Sequence, residues 1–140
     1  MYDLKFDKKA IDFLNKIEKK DKKTSLEQIK YGNVLYQLSE AFQGQRMFEK
    51  ARVFANETVR IRLTGVGNTH PSYADALTQL ANLELEFGEH QKAEILLLEA
   101  ADIYEASYGT ENDDYTFTIF TLGRLYKEIG SWKKSEAHLL

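Results

Sequence analysis

The chain has 140 residues, of which 43% are hydrophobic and 29% charged, and its formal net charge is −3. This composition is typical of one globular domain with a core, and an acidic chain without a concentrated basic face is not expected to bind nucleic acid. Because the sequence has no cysteine, a disulfide framework, thiol catalysis and cysteine-ligated zinc are excluded. Apolar runs are short and no signal peptide is recognisable, so we expect no membrane insertion and a cytoplasmic location.

The N-terminal segment, residues 1–24, is predicted to form an amphipathic helix and a linker. Four apolar residues recur in it at helical spacing, namely Leu4, Ile11, Leu14 and Ile17. Thr24 and Glu27 then have the spacing of a capping box, which predicts that a new helix begins there. The segment is interpreted as a degenerate half-repeat or as a cap for the part of the chain that follows.

A period of 42 residues organises the rest of the chain, residues 25–140. The clearest sets of similar residues at this spacing are Leu38, Leu80 and Leu122; Ala51, Ala93 and Ser135; Tyr31, Tyr73 and Tyr115; and Ser39, Ala81 and Gly123. A period of this length with helical patterning is typical of stacked units, none of which can bury its apolar face alone. We therefore predict repeats at about 25–66, 67–108 and 109–140, the last one incomplete.

Each repeat is predicted to contain two helices. Apolar stripes and glycines place these helices at about 25–45, 47–64, 71–87, 89–107, 112–130 and from 132 onward. Pro71 after His70 suits the first turn of a helix, and either Asn112 or Thr110 is expected to cap the first helix of repeat three. Gly88 and Gly130 are expected to end the first helices of repeats two and three.

The pattern L-x-x-L-A at 77–81, followed twelve residues later by the small residue Ala93, resembles the tetratricopeptide repeat, a pair of helices with small residues where they cross. The 42-residue period and the phrase GNTHP at 67–71 are similar to the longer, kinesin-light-chain type of this repeat. The resemblance covers about residues 25–140. It implies an all-α fold, a right-handed α-solenoid of antiparallel helix hairpins with about three repeats plus an N-terminal helix.

No enzyme chemistry is recognisable in the sequence. The three histidines, His70, His90 and His138, fall on separate predicted elements without the spacing of metal ligands. No nucleophile elbow or phosphate-binding loop is present. We therefore expect no catalytic residue, no metal and no cofactor, and we expect a non-enzymatic module that binds a protein or peptide partner.

The resemblance implies a concave binding face to which the first helix of each repeat contributes. The candidate peptide-binding residues lie opposite the predicted core stripes: Asn33, Tyr36, Gln37, Glu40, Asp75, Thr78, Gln79, Asn82, Phe117, Phe120, Thr121, Arg124 and Lys127. Large aromatic residues on an exposed face are typical binding hot spots, so Tyr36, Phe117 and Phe120 are the strongest candidates unless they pack in the core. The mixed charges favour a peptide with both charges and an apolar anchor.

Two functional hypotheses remain open at this stage. The first is an interaction scaffold, with a kinesin-light-chain-like adaptor as its narrower form. The alternative is a structural subunit or assembly factor packed permanently in a larger complex. A free module should have a polar surface, whereas an obligate subunit should expose Phe117, Phe120, Trp132 and Leu139 without its partner. An open C-terminal end would also offer a surface for self-association.

Overall fold

The structure, a computed structural model, describes residues 8, 12 and 25–139, with side chains described up to residue 130. Within 25–139 it contains five α-helices and no strand: α1 (Ser25–Gly44), α2 (Phe48–Val66), α3 (Pro71–Glu86), α4 (His90–Tyr108) and α5 (Asp113–Leu139). The predicted N-terminal helix and its Thr24 cap lie outside the described residues, apart from Lys8 and Asp12, which are helical. The chain divides into two compact units, residues 1–65 and 66–140.

In the first unit, α1 and α2 meet at a pair of small residues. The Ser39 hydroxyl donates a hydrogen bond of 2.8 Å to the backbone carbonyl of Ala51, and both residues are fully buried. Beside this crossing the rings of Phe42 and Phe54 stack with their centroids 5.4 Å apart. Small side chains therefore let the two backbones approach at the point that the 42-residue register predicts.

In the second unit, α4 contacts both α3 and α5. The core cluster contains Ala81 of α3, Ala93 and Leu97 of α4, and Leu122 and Leu125 of α5. Burying each leucine side chain contributes about 1.5 to 3 kcal/mol relative to leaving it exposed. Ala81 and Ala93 have the same register as Ser39 and Ala51 of the first unit. Small residues therefore lie at the equivalent place in both units.

Two helices of the second unit begin at residues that the sequence predicts as caps or junctions. Nδ1 of His70 accepts a hydrogen bond of 3.0 Å from the backbone N–H of Ser72. Oδ1 of Asn112 accepts hydrogen bonds from the backbone N–H groups of Asp114 and Tyr115, at 2.8 and 3.3 Å. Each side chain satisfies N–H groups that a helix leaves without an internal partner. Of the two candidates for the cap of α5, Asn112 is therefore the one that performs it.

The end of the chain differs from the sequence prediction. Gly130 does not end a helix, because α5 continues from Asp113 to Leu139 without interruption. Gly88, at the same register, turns the chain with a φ of +72°, whereas Gly130 stays helical. A glycine inside a helix costs only about 1 kcal/mol relative to alanine, and the Lys, Glu and Ala residues that follow it favour a helix.

Two large apolar residues of α5 are exposed. Ile119 is 43% exposed and Tyr126 is 46% exposed. Their neighbours Leu122 and Leu125 are buried. The core stripe of α5 therefore contains only some of the apolar residues of the helix.

The turn between α1 and α2 holds a residue other than glycine in the left-handed conformation. Arg46 has a φ of +61°, at the register where Gly88 has +72°. This conformation costs an L-residue roughly 1 to 2 kcal/mol. The guanidinium carbon of Arg46 lies 5.3 Å from the ring centroid of Phe48, a cation–π contact that offsets about 0.5 to 1 kcal/mol of this cost.

Replacing Arg46 separates these two effects. Arg46→Gly and Arg46→Ala both remove the contact with Phe48, but only glycine adopts a positive φ without strain. We expect the glycine variant to be more stable than the alanine variant by about 1 kcal/mol, measured by urea denaturation. Equal free energies of unfolding would show that the turn is not strained.

Ala93→Leu tests the helix crossing of the second unit. The larger side chain should overpack the cluster around Ala81 and Leu122, and should lower the free energy of unfolding by about 1 to 3 kcal/mol. Ala106→Leu is the matched control, because Ala106 lies in the same helix and is exposed. A thermal melt of Ala93→Leu that matches the wild-type melt would contradict the assignment.

Candidate functional site

The structure separates the thirteen candidate residues by exposure. Seven are exposed: Asn33, Gln37, Glu40, Phe117, Phe120, Arg124 and Lys127. Four are half-buried: Tyr36, Asp75, Thr78 and Asn82. Two are buried: Gln79 and Thr121. Phe117 and Phe120 therefore do not pack in the core, which was the alternative left open by the sequence.

The burial of Gln79 and Thr121 corrects the prediction that all thirteen residues share an exposed face. Each side chain is only 6% exposed. Gln79 lies between Ala76 and Leu83 at helical spacing, and both of these are fully buried. Thr121 has the same position between Thr118 and Leu125, so both residues belong to the edge of the core stripe. The two residues are therefore removed from the candidate surface.

In the first unit, Arg62 of α2 holds two candidate residues of α1. Its guanidinium lies over the ring of Tyr36, 4.6 Å from the centroid. The same group donates a hydrogen bond of 3.2 Å to Oδ1 of Asn33. Arg62 is itself buried, so its contacts orient Tyr36 and Asn33 at the edge of the first hairpin.

In the second unit, Tyr104 of α4 holds candidate residues of α3. Its hydroxyl donates a hydrogen bond of 2.5 Å to Oδ1 of Asp75 and also interacts with Thr78. Burial, followed by the hydrogen bond to Asp75 and its charge, raises the pKa of Tyr104. The phenol therefore remains a donor, and the Asp75 carboxylate is already engaged by it.

These two polar links occupy the same register. Arg62 and Tyr104 are 42 residues apart, as are Asn33 and Asp75. In both hairpins a donor on the second helix binds an acceptor on the first helix. The sequence does not predict this link, because the link is a contact between two helices. The one local signal for it is that Asn33 and Asp75, both hydrogen-bond acceptors, are 42 residues apart.

On α5 four exposed candidates and Asp113, which was not predicted as a candidate, form one stripe. We call it the aromatic stripe: Asp113, Phe117, Phe120, Arg124 and Lys127. Their spacing of three or four residues places them on one side of the helix. Phe117 is 55% exposed and Phe120 is 62% exposed. The stripe begins with an acidic residue and ends with two basic residues, so its charge changes sign along the helix.

The start of α5 carries further negative charge. Burial, followed by the charges of Asp75 and Asp113, raises the pKa of the Asp114 carboxyl. The carboxylates of Asp75, Asp113 and Asp114 are therefore close enough for their charges to interact at this end of the aromatic stripe.

The described part of the chain contains neither a metal-binding cluster nor a membrane-spanning helix. Among residues 8, 12 and 25–139, no group of three or more His, Asp or Glu side chains is arranged to hold a metal ion. None of the helices found there combines the length and the hydropathy that crossing a bilayer would require.

Comparison with known proteins gives a family and a fold. The profile of the tetratricopeptide repeat matches residues 30–106 and 72–140, which together cover most of the chain. Among solved structures, BtubC (BKLC) from P. vanneervenii superposes with a TM-score of 0.70 at 16% identity, over 79% of this chain and 42% of that one. The chain thus spans less than half the length of that protein. No curated protein matches the chain. The resemblance and the all-α solenoid fold class predicted from the sequence are confirmed.

A double-mutant cycle at Tyr104 and Asp75 tests the polar link of the second unit. Tyr104→Phe removes the donor, Asp75→Ala removes the acceptor, and we expect a coupling free energy of about 1 kcal/mol between them in chemical denaturation. Tyr108→Phe is the control for the loss of a hydroxyl, since Tyr108 is exposed in the same helix. Additive effects of the two substitutions would show that the link contributes nothing to stability.

Proposed function

We propose, since the chain belongs to the tetratricopeptide repeat family, that it binds a peptide segment of a partner protein. Repeats of this family indicate a protein-interaction module, and the family is generally a non-enzymatic scaffold. The proposed binding surface is the aromatic stripe of α5, with the half-buried residues Asp75, Thr78 and Asn82 of α3 as further candidates in the same unit.

The observation that carries this proposal is the exposure of Phe117 and Phe120. More than half of each side chain is accessible to water, although burying a phenylalanine is worth about 1.5 to 3 kcal/mol. The two rings are three positions apart and lie on the same side of α5. Aromatic residues, including phenylalanine, are enriched at protein interfaces relative to the rest of the protein surface.

The charges of the stripe specify the peptide. Eleven residues separate Asp113 from Arg124, a distance of about 16 Å along a helix. An extended peptide covers this distance with about five residues. The proposed ligand is therefore a segment with a basic and an acidic residue about five positions apart and an apolar residue between them. Its basic residue would lie near Asp113 and its acidic residue near Arg124.

Several finer predictions stay open. The candidate residues of the first unit, Asn33, Tyr36, Gln37 and Glu40, remain predicted contacts of the same kind. A kinesin-light-chain-like adaptor role also remains a prediction, because the similarity to BtubC (BKLC) at 16% identity concerns the fold alone. A cytoplasmic location remains a prediction from the sequence.

The exposure of Phe117 and Phe120 also supports the alternative of a structural subunit, because an obligate subunit exposes apolar residues when it is alone. Trp132 and Leu139, which the same hypothesis names, lie outside the described side chains. The two functions differ in reversibility. A peptide-binding module exchanges its ligand and is stable without it, whereas a permanent subunit is stable only in its complex.

Selection of peptides tests the proposed function directly. A random peptide library displayed on phage is selected on the wild-type chain, and the Kd of the best synthetic peptide is measured by fluorescence anisotropy. We expect peptides with an apolar residue between opposite charges, and at least tenfold weaker binding to Phe120→Ala, equivalent to about 1.4 kcal/mol. Arg124→Glu should weaken the binding of the same peptide, and selection on this variant should give peptides without the acidic residue.

Ile95→Ala is the matched control for this experiment. Ile95 lies in α4 of the same unit and is 65% exposed, so its loss removes a comparable apolar side chain from a different surface. We expect unchanged binding and unchanged thermal melts. Peptides that bind Phe120→Ala as tightly as the wild type would overturn the assignment of the surface.

A further inference from the structure

The helix α5 has a second exposed face, distinct from the aromatic stripe, which we call the hairpin face. It contains Thr116, Ile119, Gly123 and Tyr126, all of which are exposed. A Cβ added at Gly123 would meet nothing within 4 Å, so open space surrounds this part of the helix. At 100° per residue, the hairpin face is centred about a quarter turn from the aromatic stripe.

The 42-residue register shows what kind of partner this face fits. The equivalent positions of α3 are Ala74, Leu77, Ala81 and Glu84, and all four are buried. There Ala81 lies in one cluster with Ala93 of α4, as Ser39 contacts Ala51 in the first unit. The hairpin face of α5 is thus suited to a helix that carries a small residue opposite Gly123.

The chain itself contains such a segment. Ser135 is 42 residues after Ala93 and 84 after Ala51, so residues 131–139 have the register of a helix that covers the hairpin face. Within one chain, however, α5 continues through Gly130 to Leu139 as one helix. A continuous helix carries residues 131–139 along its own axis and cannot place them against its own side.

We propose that the hairpin face binds residues 131–139 of a second copy of this chain, in a reciprocal exchange of C-terminal segments. Each copy presents one face and one segment, so the two contacts are equivalent and the assembly closes as a dimer. The exchange gives each hairpin face the small-residue crossing that the first two repeats form within the chain. The proposal does not depend on peptide binding, because it uses a different face of α5.

Cysteine cross-linking between two single variants tests this exchange, and the absence of native cysteine makes it specific. Purified Gly123→Cys and Ser135→Cys chains are mixed under mild oxidation and examined by non-reducing electrophoresis and mass spectrometry. We expect a disulfide between one chain of each kind as the main product. Glu128→Cys replaces Gly123→Cys in the control, because Glu128 is exposed on another side of α5, and we expect at least tenfold less of the mixed product.

The double variant Gly123→Cys/Ser135→Cys distinguishes the source of the segment. Linked dimers support the exchange, whereas monomers with an internal disulfide would show that the segment folds back on its own helix and would overturn the proposal. Failure of the mixed variants to cross-link above the control would also overturn it.

Size-exclusion chromatography with light scattering provides a test without cysteines. We expect a concentration-dependent dimer for the wild-type chain and a monomer with unchanged helicity for Gly123→Glu, because a buried charge at the crossing is unfavourable. A wild-type chain that stays monomeric up to about 0.5 mM, a concentration at which weak dimers of millimolar Kd are detectable, would contradict the exchange. Phe120→Ala should dimerise normally, which separates a failure of this proposal from a failure of peptide binding.

Discussion

The close approach of two helix backbones at small residues is the constraint on which the described structure depends. Ser39 against Ala51 in the first unit, and Ala81 with Ala93 in the second, allow the flanking apolar side chains to interdigitate. A larger residue at either place would separate the helices and expose the leucines and aromatics around it. The crossing recurs at the 42-residue period because it is the geometric requirement of each hairpin, whereas the residues on the outer faces are free to differ.

The outer faces do differ, and this difference gives the chain its chemistry. Asn33, Asp75 and Phe117 occupy one register, but the first two accept hydrogen bonds from a partner helix while the third is an exposed ring. The same position in three successive repeats therefore carries an amide, a carboxylate and an aromatic ring. Under the proposed function, specificity would come from different side chains at the same position of successive repeats.

The sequence predicts most of the described fold because its main signals are local. Periodic leucines, Pro71 and the cap at Asn112 place the helix ends within about two residues, as the predicted 71–87 and the observed Pro71–Glu86 illustrate. The prediction that Gly130 ends a helix was wrong, because glycine permits a turn without requiring one. Tertiary contacts decide between turn and helix at such a residue. Gln79 and Thr121 were assigned to the surface because they lie at the boundary of the core stripe, where exposure depends on how far the neighbouring helix reaches. The Arg62 and Tyr104 links were missed because they are contacts between helices.

The two exposed faces of α5 also affect the solubility of the chain. Phe117, Phe120, Ile119 and Tyr126 leave apolar surface on one helix in contact with water, and a net charge of only −3 provides little colloidal repulsion. Chains made in excess of whatever covers these faces would present the same surface to chaperones and to each other. Under the two proposals, the solubility of the chain would therefore depend on the ratio of free chain to the partners that cover the two faces of α5.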